Sequence, residues 1–279
     1  MAEATKSDLE ALAERAKSGD RAALEALVRE IQPGIRSLAQ RFLWDPDDAQ
    51  DATQEILIKV ITGVGGFRGE SKFTTWVYRV ACNTLSTMKA GRMERMGLSF
   101  EAFGEDLAQG LSDAPLAVPP DMEEALVLEE LKIGCTTAML LCLDRDHRLA
   151  YVLGEILELD HNEASAVLET TAAAYRKRLS RARAEITSFM QARCGLANPA
   201  NACRCRRRVN VAISQGRVEL KRLLFASSAE QARQFPQVLV EIRALEEGRR
   251  AAALYRSHPQ LKPREDLGRW VRSLIAERA

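Results

Sequence analysis

Residues 160–186 constrain the fold more than any other segment, because they read as two short helices joined by a tight turn. Asp160 and Glu163 form a capping box for the first helix, and Thr171 is placed to cap the second. An apolar stripe at helical spacing runs along the second helix: Tyr175, Leu179, Ala182 and Ile186. Another face carries cations: Lys177, Arg178 and Arg181. This combination suits the major groove of DNA and predicts a helix-turn-helix, although an ordinary surface helix with a solvated basic face is the alternative.

The composition limits the class of protein. The chain has 279 residues and a formal net charge of only +1, so nucleic-acid binding must come from local basic patches. The first residues do not resemble a signal peptide, and no apolar stretch is long enough to cross a membrane, so we expect a cytoplasmic protein without a membrane partner. Six cysteines suit a reducing compartment better than an extracellular disulfide scaffold.

Long helical patterns separated by Gly and Pro predict an all-α fold, since no stretch shows convincing strand alternation. We expect two small helical domains, an acidic linker between them and a helical C-terminal extension. The predicted boundaries are residues 1–96, 97–121, 122–193 and 194–279. No Lys or Arg lies between Arg95 and Lys132, whereas nine acidic residues do. The residues alone favour a solvated spacer kept extended by self-repulsion over an acidic strand that lies in a channel built for nucleic acid.

A helix predicted from about Asp48 to Thr62 has one polar face with a single isoleucine in it. This face comprises Asp51, Gln54, Glu55 and Ile58. We therefore expect Ile58 to be exposed. It is either an isolated surface residue or the apolar centre of a protein interface with a polar rim.

The next helix, predicted to be capped by Ser71, carries an aromatic residue beside cations and an amide. The residues of this face are Lys72, Trp76, Arg79, Asn83 and Thr87. Such a face suits single-stranded nucleic acid, because bases stack on the ring and phosphates meet the cations. The alternative is that Trp76 packs into the core. Phe67, on the preceding glycine-rich loop, is likewise either a wedge or a cover for the core.

Three segments together resemble the extracytoplasmic function (ECF) sigma factors, which are bacterial transcription-initiation subunits with two helical domains called region 2 and region 4. The segments are DAQDATQEILIKV (48–60), FRGESKFTTWVYRVACNTL (67–85) and LDHNEASAVLETTAAAYRKRLSRAR (159–183). The resemblance covers about residues 8–193. It implies a protein that is not an enzyme, needs no cofactor, binds core RNA polymerase and promoter DNA, and is a candidate for control by an anti-sigma factor.

The resemblance also implies roles for particular residues. Asp51, Gln54, Glu55 and Ile58 would dock on the clamp helices of the largest polymerase subunit, and the β-subunit flap is a further expected contact. The residues expected to open and read the −10 promoter element are Phe67, Arg68, Lys72, Trp76, Arg79 and Asn83. Those expected at the −35 element are Arg176, Lys177, Arg178 and Arg181. The acidic linker would thread the polymerase channel, so the resemblance favours its functional interpretation.

The helix-turn-helix departs from the family pattern at its turn. Leu168-Glu169 replaces the usual Leu-Gly, so we expect the position that is often a left-handed glycine to take another conformation. The usual Thr-Val-Lys-Ser-Arg reads Ala-Tyr-Arg-Lys-Arg at residues 174–178. The sequence therefore predicts DNA binding here without predicting a particular −35 sequence.

Residues 194–208, CGLANPANACRCRRR, exceed what a minimal member of this family needs. In a loop, Cys194, Cys203 and Cys205 can reach one metal ion, either Cu(I) or, with a fourth ligand from His258 or Cys142, Zn(II). In a second interpretation the adjacent arginines lower the thiol pKa and make a redox sensor. In a third the thiols are simply unpaired. Amphipathic helices are predicted at 218–235, 238–258 and 263–278. They are expected to pack together or onto region 2 or region 4, as a regulatory domain acting in cis.

Two other classes of protein stay open on the residues alone. A helix-turn-helix repressor or activator with a metal-binding tail would explain residues 160–186 but not residues 67–76 or the linker. A thiol or metal enzyme built on the cysteines is disfavoured, because none of the three histidines lies near the cysteine cluster in sequence.

Overall fold

The computed structural model describes residues 6–259, and all regular elements in that range are helical. The α-helices are α1 (Lys6–Lys17), α2 (Arg21–Leu43), α3 (Pro46–Gly63), α4 (Phe73–Thr87), α5 (Arg92–Arg95), α6 (Phe100–Gln109), α7 (Glu124–Leu141), α8 (Arg145–Tyr151), α9 (His161–Val167), α10 (Ala172–Arg193), α11 (Cys205–Ser214), α12 (Ala229–Ala244) and α13 (Glu247–Arg256). The predicted all-α fold is confirmed. No described helix is both long and apolar enough to span a membrane.

The described residues form two compact units, each built from segments that are distant in sequence. The first unit contains the residues up to Lys89 together with Leu159–Arg176. The second contains Ala90–Glu158 together with the residues from Lys177 onward. Helix α10 contributes residues to both units.

Local capping signals set the helices of the first unit. Asp20 caps α2 by accepting a hydrogen bond from the Ala23 amide at 3.0 Å. Asp45 caps α3, whose first residue is Pro46, a position where proline loses no helical hydrogen bond. Ser71 does not cap α4, because that helix begins at Phe73 with Lys72 in the N-cap position. The core between α2, α3 and α4 is apolar and fully buried: Leu27, Ile35, Leu38, Phe42, Ile56, Leu57, Phe73 and Leu85.

The predicted linker, residues 97–121, is not extended throughout. Its first half forms α6, whose cap Ser99 accepts a hydrogen bond from the Ala102 amide at 3.2 Å. Phe103 and Leu107 are buried, and the Phe103 ring stacks on Phe189 of α10 with a centroid distance of 5.7 Å. Burial of these apolar side chains at helical spacing outweighs the repulsion between carboxylates that was expected to keep the segment extended.

The C-terminal extension packs on α7 within the second unit. Val127 and Leu131 of α7 share a hydrophobic cluster with Val209, Ala212 and Val218 of the extension. The helix predicted at 218–235 is wrong over most of its length, because α12 begins only at Ala229. The predicted helix at 238–258 is divided between α12 and α13, and the one predicted at 263–278 lies outside the described residues.

Candidate nucleic-acid and protein interfaces

The polar face of α3 surrounds an isoleucine that is only half-buried. Asp51 and Glu55 are exposed, whereas Gln54 and Ile58 are of intermediate exposure. The prediction of a fully exposed Ile58 is wrong, because this residue lies one turn from the buried Ile61, at the margin of the buried stripe. The face therefore offers an apolar centre with an acidic rim, which is the composition expected of a protein interface.

Three aromatic rings join the loop before α4 to that helix. The Phe67 ring lies 5.2 Å from Phe73 and 5.8 Å from Trp76, measured between centroids. Phe67 is buried, as the core-packing alternative required, and Trp76 is half-buried. Arg68, on the loop between them, is exposed. Trp76 thus combines a packing role with a partly accessible ring edge.

Groups of α9 and of the turn that follows it contact the polar face of α4 inside the first unit. Lys72 forms an ion pair with Glu163. Arg79 donates from Nε to the Ala166 carbonyl at 3.2 Å, and Asn83 donates from Nδ2 to Oε2 of Glu169 at 3.3 Å. Three residues predicted to meet single-stranded DNA are therefore engaged by carboxylates and a carbonyl, which are acceptors like those a phosphate backbone would present.

The turn between α9 and α10 keeps a glutamate in a glycine-type conformation. Glu169 has a φ of 49°, so the expectation that this position avoids the left-handed region is wrong. For a non-glycine residue, this conformation costs about 1–2 kcal/mol of free energy. The Thr170 amide donates to the Ser165 carbonyl at 3.0 Å and closes the end of α9. The strained backbone holds the Glu169 carboxylate against α4.

Helix α10 has a buried apolar stripe and an exposed cationic one. Asp160 and Thr171 cap the two helices as predicted, and Tyr175, Leu179, Ala182 and Ile186 are all buried. Arg176, Lys177 and Arg181 are exposed. Arg178 is less available, because its Nη2 lies 3.1 Å from Oδ2 of Asp146 in α8.

The structure gathers the C-terminal cysteines and adds one that the sequence analysis did not select. The backbones of Cys194 and Cys203 form an isolated β-bridge, and both thiols are free. Burial raises the pKa of Cys135 on α7, and the charges of Cys194, Cys205 and Cys203 raise it further. The signal that could have identified Cys135 is its position on α7, one turn beyond Leu131 on the face that the extension covers. His258 instead contacts Thr136, at 3.0 Å. Within residues 6–259, no three His, Cys, Asp or Glu side chains are arranged to hold a metal ion.

Among the cysteines of the extension, Cys194 is buried, whereas Cys203 and Cys205 are half-buried. Burial raises the pKa of Cys203 to about 11, and it also raises the pKa values of Cys194 and Cys205. Arg204 and Arg208 lower the pKa of Cys203, but by less than burial raises it. The arginines therefore act on the pKa of Cys203 in the expected direction, but burial outweighs them and the net shift is upward.

Alkylation should report this burial. We expect Cys203 in the native chain to react slowly with iodoacetamide at pH 7 and progressively faster as the pH rises towards about 11, because the thiolate is the nucleophile. Mass spectrometry of the modified peptide measures the rate. In urea the same thiol should react with the ordinary cysteine pKa of about 8.5. Equal rates for native and unfolded chains at pH 7 would contradict the buried thiol.

Comparison with known proteins decides the family. Residues 27–92 match the family model for sigma-70 region 2. The chain is 33% identical over 180 residues to the RNA polymerase sigma-H factor of Pseudomonas aeruginosa, covering 64% of this chain and 92% of that protein. It is 31% identical over 184 residues to the ECF RNA polymerase sigma-E factor of Escherichia coli K12, covering 64% of this chain and 93% of that protein. The chain belongs to the ECF sigma factors.

The identity to sigma factors favours this class over the repressor and enzyme alternatives. A solved structure of CnrH in complex with the cytosolic domain of CnrY aligns with 22% identity and a TM-score of 0.47, covering 66% of this chain and 98% of that one. The α3 and α4 faces both lie inside the region 2 match.

Proposed function

We propose that this sigma factor directs core RNA polymerase to promoters through the faces of α3, α4 and α10. The α3 face (Asp51, Gln54, Glu55 and Ile58) docks on the clamp helices of the largest subunit. The α4 face, with its preceding loop, opens and reads the −10 element, and α10 reads the −35 element. The observation that carries the proposal is the exposed row of Arg176, Lys177 and Arg181 on a helix whose opposite stripe is buried.

Run-off transcription with core polymerase tests this function. Arg181→Ala should weaken promoter binding by the holoenzyme and reduce the slope of log affinity against log salt by about 0.9, because one phosphate contact is lost. The matched control is Arg249→Ala, an exposed arginine of α13. A holoenzyme that initiates at no promoter, or identical slopes for wild type and Arg181→Ala, would count against the assignment.

The contact between α4 and α9 has a consequence for DNA binding. Because Arg79 bonds α9 and Asn83 bonds Glu169 of the turn that follows it, a −10 strand must compete with these contacts. Glu169→Gly removes the carboxylate and relieves the left-handed strain, so the chain should bind single-stranded −10 DNA more tightly than wild type. Glu169→Asn introduces a side chain that is short, neutral and tolerant of positive φ. This variant serves as the matched control. Fluorescence anisotropy with labelled single strands measures the change, and equal affinities for all three proteins would contradict it.

We also propose regulation in cis by the cysteine-containing extension. The supporting observation is the backbone bridge that joins Cys194 to Cys203 within the extension. These sulfurs are suitable donors for Cu(I) or Zn(II), but they do not converge as ligands in the described structure, and we assign no step to a bound ion. Equilibrium dialysis of wild type and the Cys203→Ser variant against each metal tests binding directly. Control by an anti-sigma factor and a contact with the β-subunit flap stay predictions without an assigned surface.

A further inference from the structure

We infer that the C-terminal extension holds the acidic linker in a folded-back position and so competes with its entry into the polymerase channel. This inference rests on the proposed function for the role of the linker. The linker is held by a group of side chains that we call the arginine brace, which consists of Arg207, Arg208 and Arg217 together with Asn210. All of these residues and the linker belong to the second unit.

Asp106 of α6 is the centre of the contact. Its carboxylate lies 2.8 Å from Nη2 of Arg208 and 2.5 Å from Nη1 of Arg217. The Arg208 side chain is only 5% exposed, so this ion pair is largely withdrawn from water. Burial by itself raises the pKa of Asp106, but the hydrogen bonds and charges of Arg217 and Arg208 outweigh it, and the pKa lies below its ordinary value. The carboxylate is therefore charged at neutral pH and its partners fix its position.

The brace also holds the backbone that follows α6. Arg208 donates from Nη1 to the Gly110 carbonyl at 2.9 Å, and Arg207 donates from Nη2 to Asp113 at 2.8 Å. The Ser112 amide donates to the Arg207 carbonyl at 2.8 Å. These bonds fix residues 110–113, which carry no regular secondary structure of their own.

Asn210 fixes the next part of the linker. Its Nδ2 donates to the Pro115 carbonyl at 2.9 Å, and its Oδ1 accepts from the Ala117 amide at 2.8 Å. A single amide side chain thus satisfies one acceptor and one donor of an otherwise irregular segment. Because both hydrogen bonds are made to backbone groups, they do not depend on the side chains of the linker.

Gly110 shows that the contact is closely fitted. A Cβ atom at this position would lie 1.7 Å from Nη1 of Arg208 and 3.1 Å from Cγ1 of Val211. Only glycine allows the Arg208 guanidinium to approach the linker backbone this closely. A side chain added at residue 110 should therefore loosen the brace from the linker side without removing any charge.

A segment bound in this way cannot lie in the polymerase channel at the same time. The brace neutralises linker carboxylates. It also forms hydrogen bonds with linker backbone groups, and these bonds must break before the linker can extend. Core polymerase must therefore displace the brace or capture the fraction of molecules in which it has opened. The extension acts as an intramolecular competitor for the linker, and any event that weakens the brace raises activity.

Full-length variants test this inference. Arg207→Ala with Asn210→Ala changes only partly exposed brace residues, and Gly110→Ala loosens the brace from the opposite side. Both should accelerate hydrogen exchange at the Ser112 and Ala117 amides. Both should also tighten binding to core polymerase, with an apparent Kd about tenfold lower if roughly one molecule in ten is open in wild type. Arg249→Ala is the control and should change neither readout.

The outcomes separate the inference from the function on which it rests. Unchanged exchange at the two amides in both variants would show that the brace does not hold the linker and would overturn the inference. Faster exchange with an unchanged Kd for core polymerase would show that the linker is held without competition, which also overturns it. If neither wild type nor any variant binds core polymerase, the proposed function itself fails, whereas the exchange experiment still reports on the brace.

Discussion

Replacing Glu130 with alanine should lower the free energy of unfolding by about 3–5 kcal/mol, because two buried backbone donors and one half-buried donor lose a charged acceptor. Glu130 lies on α7 and is only 2% exposed. Its carboxylate accepts hydrogen bonds from the amides of Leu224, Phe225 and Ala226 at 2.8, 2.7 and 2.8 Å. Urea unfolding followed by circular dichroism measures the change.

Two matched variants show whether this effect belongs to the hydrogen bonds. Glu130→Gln keeps the shape of the side chain but replaces one acceptor oxygen by a donor, so its cost should be large but smaller than that of alanine. Glu219→Ala removes an exposed carboxylate of the extension and should change the free energy of unfolding by less than about 0.5 kcal/mol. Equal stability of wild type and Glu130→Ala would show that these bonds contribute nothing.

Replacing Ile58 with glutamate should weaken binding to core polymerase by about 10- to 100-fold, because an apolar contact worth about 1.5–3 kcal/mol is lost and a charge takes its place. Surface plasmon resonance with immobilised core polymerase measures the affinity. Thr62→Glu, at an exposed position near the end of α3, is the control for added charge.

Ile58 is half-buried, so its substitution also affects folding, and a second variant is needed. Glu55→Arg reverses an exposed charge on the same face and should weaken the complex with little change in melting temperature. Core affinity that is unchanged in both variants would show that the α3 face does not bind polymerase.

The parts of the fold that were predictable depend on short-range signals. Asp160 and Thr171 mark the starts of α9 and α10, because caps act within three residues, whereas α3 begins at Pro46, two residues before its predicted start. The periodic stripe ending at Ile186 was also predictable. It is buried as its spacing indicated.

The parts that were missed depend on pairing across long stretches of sequence. Arg208 and Asp106 are 102 residues apart, and neither is unusual by itself. A signal did exist, since a linker without Lys or Arg and a later run of arginines have complementary charges. Charge patterns do not show which acid meets which base. The raised pKa of Cys203 was missed for a related reason, because burial depends on packing that only the folded chain reveals.

Helix α7 also bears on how such a protein can evolve. Its Glu129, Glu130 and Lys132 are nearly inaccessible, and the partners of Glu130 come from the extension. A recombination or premature stop codon that removed the extension would leave these charges on a surface shaped for a missing neighbour. The α7 sequence and the extension must therefore change together during descent. Loss of the extension would remove the partners of Glu130 and so destabilise the unit to which α7 belongs.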